Sequence, residues 1–245
     1  MNFADYLIRT KFKHERSTGL NETNIAKGIE MQPCLQIKNL QLYRQNTQLL
    51  SLNEQVNGGE ILTIMGPSGS GKSSLLNWIA GTLTKDFNAT GELWLNGQSI
   101  NNLPAHLRHI GVLYQDPLLF SHLSVSDNVA FAIPKEKAGK KERFEKVEQA
   151  LESVGLKGVG NRHPDNLSGG QQARVALLRM LLSKPKAILL DEPFSKLDTE
   201  LRVATRQLVF NLIRDHKLPA IMVSHDHSDA DEANGKVISL HSGGK

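Results

Sequence analysis

"ILTIMGPSGSGKSSLLNWIAG", Ile61–Gly81, decides the fold. Ile61–Met65 is a near-continuous apolar run, the pattern of a strand buried on both faces of a parallel sheet. Gly66–Ser73 matches G-x-x-x-x-G-K-[ST], and an apolar helix pattern follows at once. Strand, glycine-rich turn and helix in that order make an anion cradle. The glycines let successive backbone N–H groups face one phosphate, and the helix N-terminus adds partial positive charge. The motif therefore predicts nucleotide binding by Gly66, Pro67, Ser68, Gly69, Ser70, Gly71, Lys72, Ser73 and Ser74. Lys72 is expected at the β- and γ-phosphates and Ser73 on Mg²⁺.

The surrounding pattern is α/β. Two alternating stretches, "CLQIKNLQLY" and "QLLSLNEQV", precede the cradle. Asn96-Gly97 inside "GELWLNGQSI" is a hairpin signal. These predict a small antiparallel lobe beside a parallel core. "HIGVLYQ", "AILLDEP" and "PAIMVSHD" read as further core strands, and "GKVISLHSG" as a closing β segment. Helices are expected over "KKERFEKVEQALESVGL", with Phe144, Val147, Leu151 and Val154 on one face and Gly155 as the stop, and over "TELRVATRQLVFNLIRDH", with Leu201, Leu208 and Leu212 on one side. A third runs through "QQARVALLRMLLS", capped by Asn166 or Ser168. Residues 1–33 are polar and lack a sustained apolar period, so a flexible extension is expected there, with Met31 an alternative start.

Composition narrows the function. The formal charge of the 245-residue chain is only +4, and its densest charged run, "KEKAGKKERFEK", mixes both signs, so no direct nucleic-acid contact is expected. One cysteine, Cys34, excludes an internal disulfide and fits a reducing compartment. No apolar run reaches the ~20 residues that span a bilayer, so work at a membrane requires docking onto another chain. There is no secretory signal pattern at the start.

Asp191 and Glu192 end the apolar run "AILLDE". A strand end beside a phosphate loop is where ligands gather in an open α/β sheet. Asp191 is expected to hold Mg²⁺ through its water shell, and Glu192, one residue on, to orient and deprotonate an attacking water. Gln115 after "IGVLY" and His225 after "IMVS" end two other strands, and either is a candidate to contact the γ-phosphate, the Mg²⁺ or the water.

A second glycine-bearing turn, "NLSGGQQARVAL", carries no lysine. With it, the set resembles the ATP-binding cassette (ABC) ATPases, over about residues 34–240. In family order stand Tyr43, "GPSGSGKS", Gln115, "LSGGQ" (Leu167–Gln171), "AILLDE", "SKLD" (Ser195–Asp198) and His225. The resemblance implies a P-loop (RecA-like) parallel core, an antiparallel β subdomain and an inserted ABC-specific helical subdomain, about residues 116–180, within an ABC ATPase domain of residues 34–245. It implies that Tyr43 stacks on adenine and that His225 is the switch histidine. Ser168, Gly169, Gly170 and Gln171 would close over the ATP of a second cassette, and Asp198 would join the nucleotide site. A single cassette implies a homodimer or pairing with a second cassette chain.

"DPLLFSHLSVSDNVAFAI" resembles the segment of importer-type cassettes that receives a membrane permease, with Leu118, Leu119, Phe120, Leu123 and Val125 as its docking groove. "GELWLNGQ", "YQDPLLF", "QQARVALLRMLL" and "DEPFSKLD" are similar to the YnjD-type bacterial subunits. Lys196, Ala173 and Leu178 depart from the usual pattern, and no C-terminal regulatory domain is expected after His225. The resemblance thus implies an ATPase subunit of a bacterial ABC transporter, an importer, peripheral on the cytoplasmic face of the inner membrane. Its partners would be an integral-membrane permease and an extracytoplasmic solute-binding protein. The alternatives are a soluble ABC ATPase acting on a nucleic-acid or protein assembly, and a small-molecule kinase, in which "LSGGQ" and His225 have no role.

Overall fold

The computed structural model describes residues 33–133 and 139–240. The expectations of a flexible extension and of a start at Met31 concern a segment that lies, up to residue 32, outside them.

Alternating apolar residues build the first sheet. β1 (Cys34–Arg44) pairs antiparallel with β2 (Thr47–Asn57) and with β4 (Phe87–Leu95), and β4 with the short β5 (Gln98–Ser99). The order is β2-β1-β4-β5. Asn96 and Gly97 close the β4–β5 hairpin at φ 52° and 77°, the left-handed pair that a two-residue turn matched to strand twist demands. The β1 pattern buries Leu35, Ile37, Leu40 and Leu42. The alternation slips at Lys38–Asn39, where the β1 register shifts.

The second sheet is parallel and has the order β6-β7-β8-β3-β9: β3 (Ile61–Met65), β6 (Ile110–Leu113), β7 (Ala187–Asp191), β8 (Ala220–Val223) and β9 (Val237–Ser239). All five residues of β3 and all four of β8 are buried, as their near-continuous apolar runs require. Helix α1 (Lys72–Ala80) buries Leu75, Leu76 and Ile79 in the same core as Leu62, Ile64, Leu189 and Val223. In register, Ile64 and Asp191 both stand opposite Val223. The phosphate loop, Asp191–Glu192 and Ser224–His225 therefore leave three adjacent strands at one edge.

Leu119–Arg179 forms a separate compact unit, the rest of the described chain the other. The first contains α2 (Val125–Ala130), α3 (Lys140–Ser153) and most of α4 (Gly169–Leu182). Val147, Leu151 and Val154 are buried as the spacing predicts, and Gly155 has φ 72° at the stop. Phe144 does not join them: it is 54% exposed. Val125 is fully buried inside this unit and so packs its interior instead of lining a docking groove. Leu119, Phe120 and Leu123 are half-buried; in the other unit, Leu118 is 57% exposed.

Helix α5 (Thr199–Asp215) is also rotated from expectation. Its buried face is Thr205, Arg206, Val209, Phe210, Leu212 and Ile213, while Leu201 and Leu208 are only half-buried. The reason is a buried charge pair. Arg206, 5% exposed, meets Asp229, 4% exposed, on α6 (His227–Ala233) at 3.1 Å. A paired, hydrogen-bonded arginine occupies the inward position that hydrophobicity alone assigns to leucine.

Candidate functional site

The glycines of the phosphate loop adopt backbone that other residues resist. Gly69 and Gly71 have φ 83° and 91°, and Gly71 precedes the first residue of α1. Lys72, nearly buried, turns back over the loop and donates to the carbonyls of Gly66 at 2.7 Å and Pro67 at 2.8 Å. Its ammonium is thereby fixed above the cradle. The Ser70 hydroxyl is buried within the loop and has no hydrogen-bond partner among the described residues. The cavity over this cradle has a volume of about 260 Å³. Ser68, Gly69, Gly71, Lys72, Ser73 and Ser74 line it, with Glu192, Arg44, Leu49 and Phe87.

Asp191 reaches the cradle from β7. Ser73 Oγ donates to Asp191 Oδ1 at 3.3 Å. Burial pushes the Asp191 carboxyl above the usual carboxylate range, the Ser73 bond opposes that shift, and the neighbouring Glu192 charge adds to it. Tyr114, on the adjacent chain segment, is raised by its own burial and by Asp191. A hydroxyl and one carboxylate, with phosphate oxygens to share, fit a hard cation that keeps much of its water shell. Among the described residues no group of three or more His, Cys, Asp or Glu could hold a metal by itself.

Glu192 sits at φ 46°, in left-handed backbone that a glutamate seldom adopts. Three bonds hold it there: its N–H donates to Val223 O at 3.0 Å, and its carbonyl accepts from the Ser195 N–H at 3.3 Å and from the Ser195 hydroxyl at 2.9 Å. The strand end and the following turn thus fix the orientation of the side chain. Its Oε2 lies 3.3 Å from His225 Nδ1. Behind this pair is a second, small cavity of about 20 Å³, lined by Glu192, His225, Ser195, Arg202, Ser224, Asp226 and Asp229.

The structure brings together the phosphate loop, Asp191, Glu192 and His225. It does not gather every expected residue. Gln115 is exposed just beyond β6 and lines neither cavity. Tyr43 is half-buried on β1 and its hydroxyl donates to Gln41 at 2.9 Å; the cavity wall at that end is Arg44 and Phe87, with the guanidinium 5.7 Å from the ring centroid. Asp198 caps α5, accepting from the Leu201 N–H at 2.9 Å. In the helical unit, Asn166 closes a 3₁₀ turn and Ser168 is the cap. Its hydroxyl accepts from the Gln171 N–H at 3.3 Å while Gln171 Oε1 accepts from the Ser168 N–H at 3.0 Å, a reciprocal capping box. Arg44, Phe87 and Arg202 escaped the sequence reading. The one available signal was position, since Arg44 adjoins Tyr43 and Arg202 lies one turn beyond Asp198.

A parallel sheet with this loop, this acid pair and an antiparallel lobe defines a nucleotide-hydrolysing cassette. The chain belongs to the ABC transporter family, whose model matches residues 49–195. It is 50% identical over 205 residues to the uncharacterized ABC transporter ATP-binding protein YnjD of Escherichia coli, covering 83% of this chain and 94% of that one. It is 44% identical over 194 residues to the Fe(3+) ions import ATP-binding protein FbpC of Serratia marcescens (77% of this chain, 54% of that one). It is 36% identical over 216 residues to the spermidine/putrescine import ATP-binding protein PotA of Haemophilus influenzae (88% and 57%). The chain spans little more than half the length of those two. It is the ATP-binding subunit of an ABC transporter and hydrolyses ATP for transport. Such subunits pair with permease subunits. Among the described residues no helix is long and apolar enough to cross a membrane.

Proposed function

We propose that two copies of this chain form a homodimer on the cytoplasmic face of the inner membrane and drive a separate integral-membrane permease for import, supplied by an extracytoplasmic solute-binding protein. Support for import comes from FbpC and PotA, both named as import ATP-binding proteins.

In this reading the loop Gly66–Ser74 holds the phosphates and Lys72 contacts the β- and γ-phosphates. Ser73, Asp191 and Gln115 hold Mg²⁺. When bound, the cation neutralises phosphate charge as a Lewis acid. Glu192 takes the proton of the attacking water, and His225 and Gln115 complete the γ-phosphate site. Tyr43 stacks on the base. Ser168, Gly169, Gly170, Gln171 and Asp198 contact the nucleotide of the opposite cassette. ATP then joins the two chains and hydrolysis releases them, a two-state element the permease can follow. The domain runs from residue 34 to 245, with residues of about 116–180 as the insertion.

The observation that carries this reading is that Glu192 borders both cavities, with Lys72 and Ser73 on one side and His225 on the other. The test of the transport half is co-purification. The tagged chain is captured from gently solubilised native membranes. A multi-spanning permease in stoichiometric amount is expected; a chain found only in the cytosol without a membrane companion contradicts it.

A further inference from the structure

The small cavity behind Glu192 and His225 is about 20 Å³ in volume, and every residue that lines it carries a polar side chain. One water needs roughly 10–15 Å³ of such space and two to four polar partners. Arg202 lines the cavity, and its guanidinium is incompletely paired. Nη1 donates to Asp226 Oδ2 at 2.8 Å and Nη2 to the Leu197 carbonyl at 3.4 Å. Nε is buried and has no partner among the described residues. A buried N–H left unpaired is costly, and ordered water is the usual remedy. Two other groups on the cavity wall are already engaged. The Ser224 hydroxyl donates to Asp229 Oδ2 at 2.9 Å and accepts from the Asp226 N–H at 3.1 Å. The Ser195 hydroxyl donates to the Glu192 carbonyl. The Glu192 carboxylate has lone pairs to spare.

We propose that one ordered water fills this cavity, accepts from Arg202 Nε and donates to the Glu192 carboxylate, so that Arg202 is a positioning residue for Glu192. Arg202 is itself anchored to the "SKLD" turn, because its backbone N–H donates to the Asp198 carbonyl at 2.8 Å. The water therefore ties that turn to the orientation of Glu192. The proposal rests on the role assigned to Glu192 above.

A high-resolution crystal structure of the full chain tests the water. Density within hydrogen-bonding distance of both Arg202 Nε and a Glu192 carboxylate oxygen is expected. A dry cavity, or a water touching only one of them, overturns the proposal. ATPase kinetics test the positioning. Arg202→Lys keeps a cation opposite Asp226 and removes the Nε–H. Its kcat is expected to fall about fivefold, the effect of one lost hydrogen bond, with KM for ATP and Tm unchanged. Asp226→Asn weakens the ion pair, keeps a competent cap for α6 and is expected to retain wild-type turnover. Unimpaired turnover in Arg202→Lys, or an equal loss in Asp226→Asn, overturns the positioning role. Glu192→Gln separates the two readings. Wild-type turnover in that variant removes the role of Glu192 itself; an inactive Glu192→Gln beside an unimpaired Arg202→Lys removes only the role of Arg202.

Discussion

His225 Nδ1 lies 3.3 Å from Glu192 Oε2, across the ends of the adjacent strands β7 and β8. Glu192 is fixed through its backbone, whereas the His225 side chain is 64% exposed and free to turn toward a ligand. His225→Ala is expected to lower kcat by about 10–100-fold while leaving ATP affinity near the wild-type value. Steady-state ATPase assays and equilibrium nucleotide binding check this; equal losses in both would assign His225 to ground-state binding.

Asp191 carries a cost in the free protein. Burial raises its folded-state pKa above the unfolded value, so the charged form destabilises the fold once pH exceeds that raised value. The cost disappears as pH falls through the raised pKa toward the ordinary carboxylate range. Asp191→Asn is therefore expected to unfold at a higher temperature than the parent at neutral pH, in EDTA and without nucleotide, and the gap should close on acidification. The same variant should lose Mg²⁺-dependent stabilisation by ATP. A lower Tm for the variant at neutral pH would refute the desolvation argument.

Ser168 caps α4 and, in the proposed dimer, also contacts the partner's nucleotide. As the cap of α4 its hydroxyl contributes about 1 kcal/mol, and replacement by Gly instead of Ala costs only a few tenths. Ser168→Gly should thus melt close to wild type yet lose ATP-driven dimerisation, read by analytical ultracentrifugation. Intact dimerisation in that variant argues against a contact with the partner's nucleotide.

Arg108 holds the end of α1. Its guanidinium donates to the carbonyls of Trp78, Ile79, Asn101 and Leu103 at 2.7–2.9 Å, and it is 8% exposed. A cation at a helix C-terminus also complements the dipole. Arg108→Met removes the donor from these carbonyls, of which, among the described residues, only that of Trp78 keeps another, the Gly81 N–H at 3.2 Å, and is expected to destabilise the chain by about 3 kcal/mol or more, measured by urea unfolding. A change under about 1 kcal/mol would mean that water replaces the guanidinium.

The phosphate cradle and the strands beside it were legible because motif and hydrophobic period agree there: Ile61–Met65 is apolar except for Thr63 and is buried throughout. Asp191 and Glu192 were legible from their place at the end of such a run. The face of α5 was not. Arg206 points inward because Asp229, twenty-three positions away, and Ser228 both pair with its Nη1, and no local pattern records a partner at that distance. Val125 and Phe144 were misjudged for a related reason. An apolar residue can pack inside or face outward, and tertiary contacts decide which. Nothing in the local pattern singles out Arg44 or Arg202; only the fold sets them against cavities.

Glu192 is the proposed base. Its most direct test is Glu192→Gln, assayed for ATP turnover and, by analytical ultracentrifugation, for association in Mg²⁺-ATP. Glutamine keeps the shape and cannot take the proton. Turnover should fall by at least about 100-fold while ATP still binds and the chain accumulates as a dimer. Wild-type turnover in this variant would contradict the account, because the water would then be activated elsewhere.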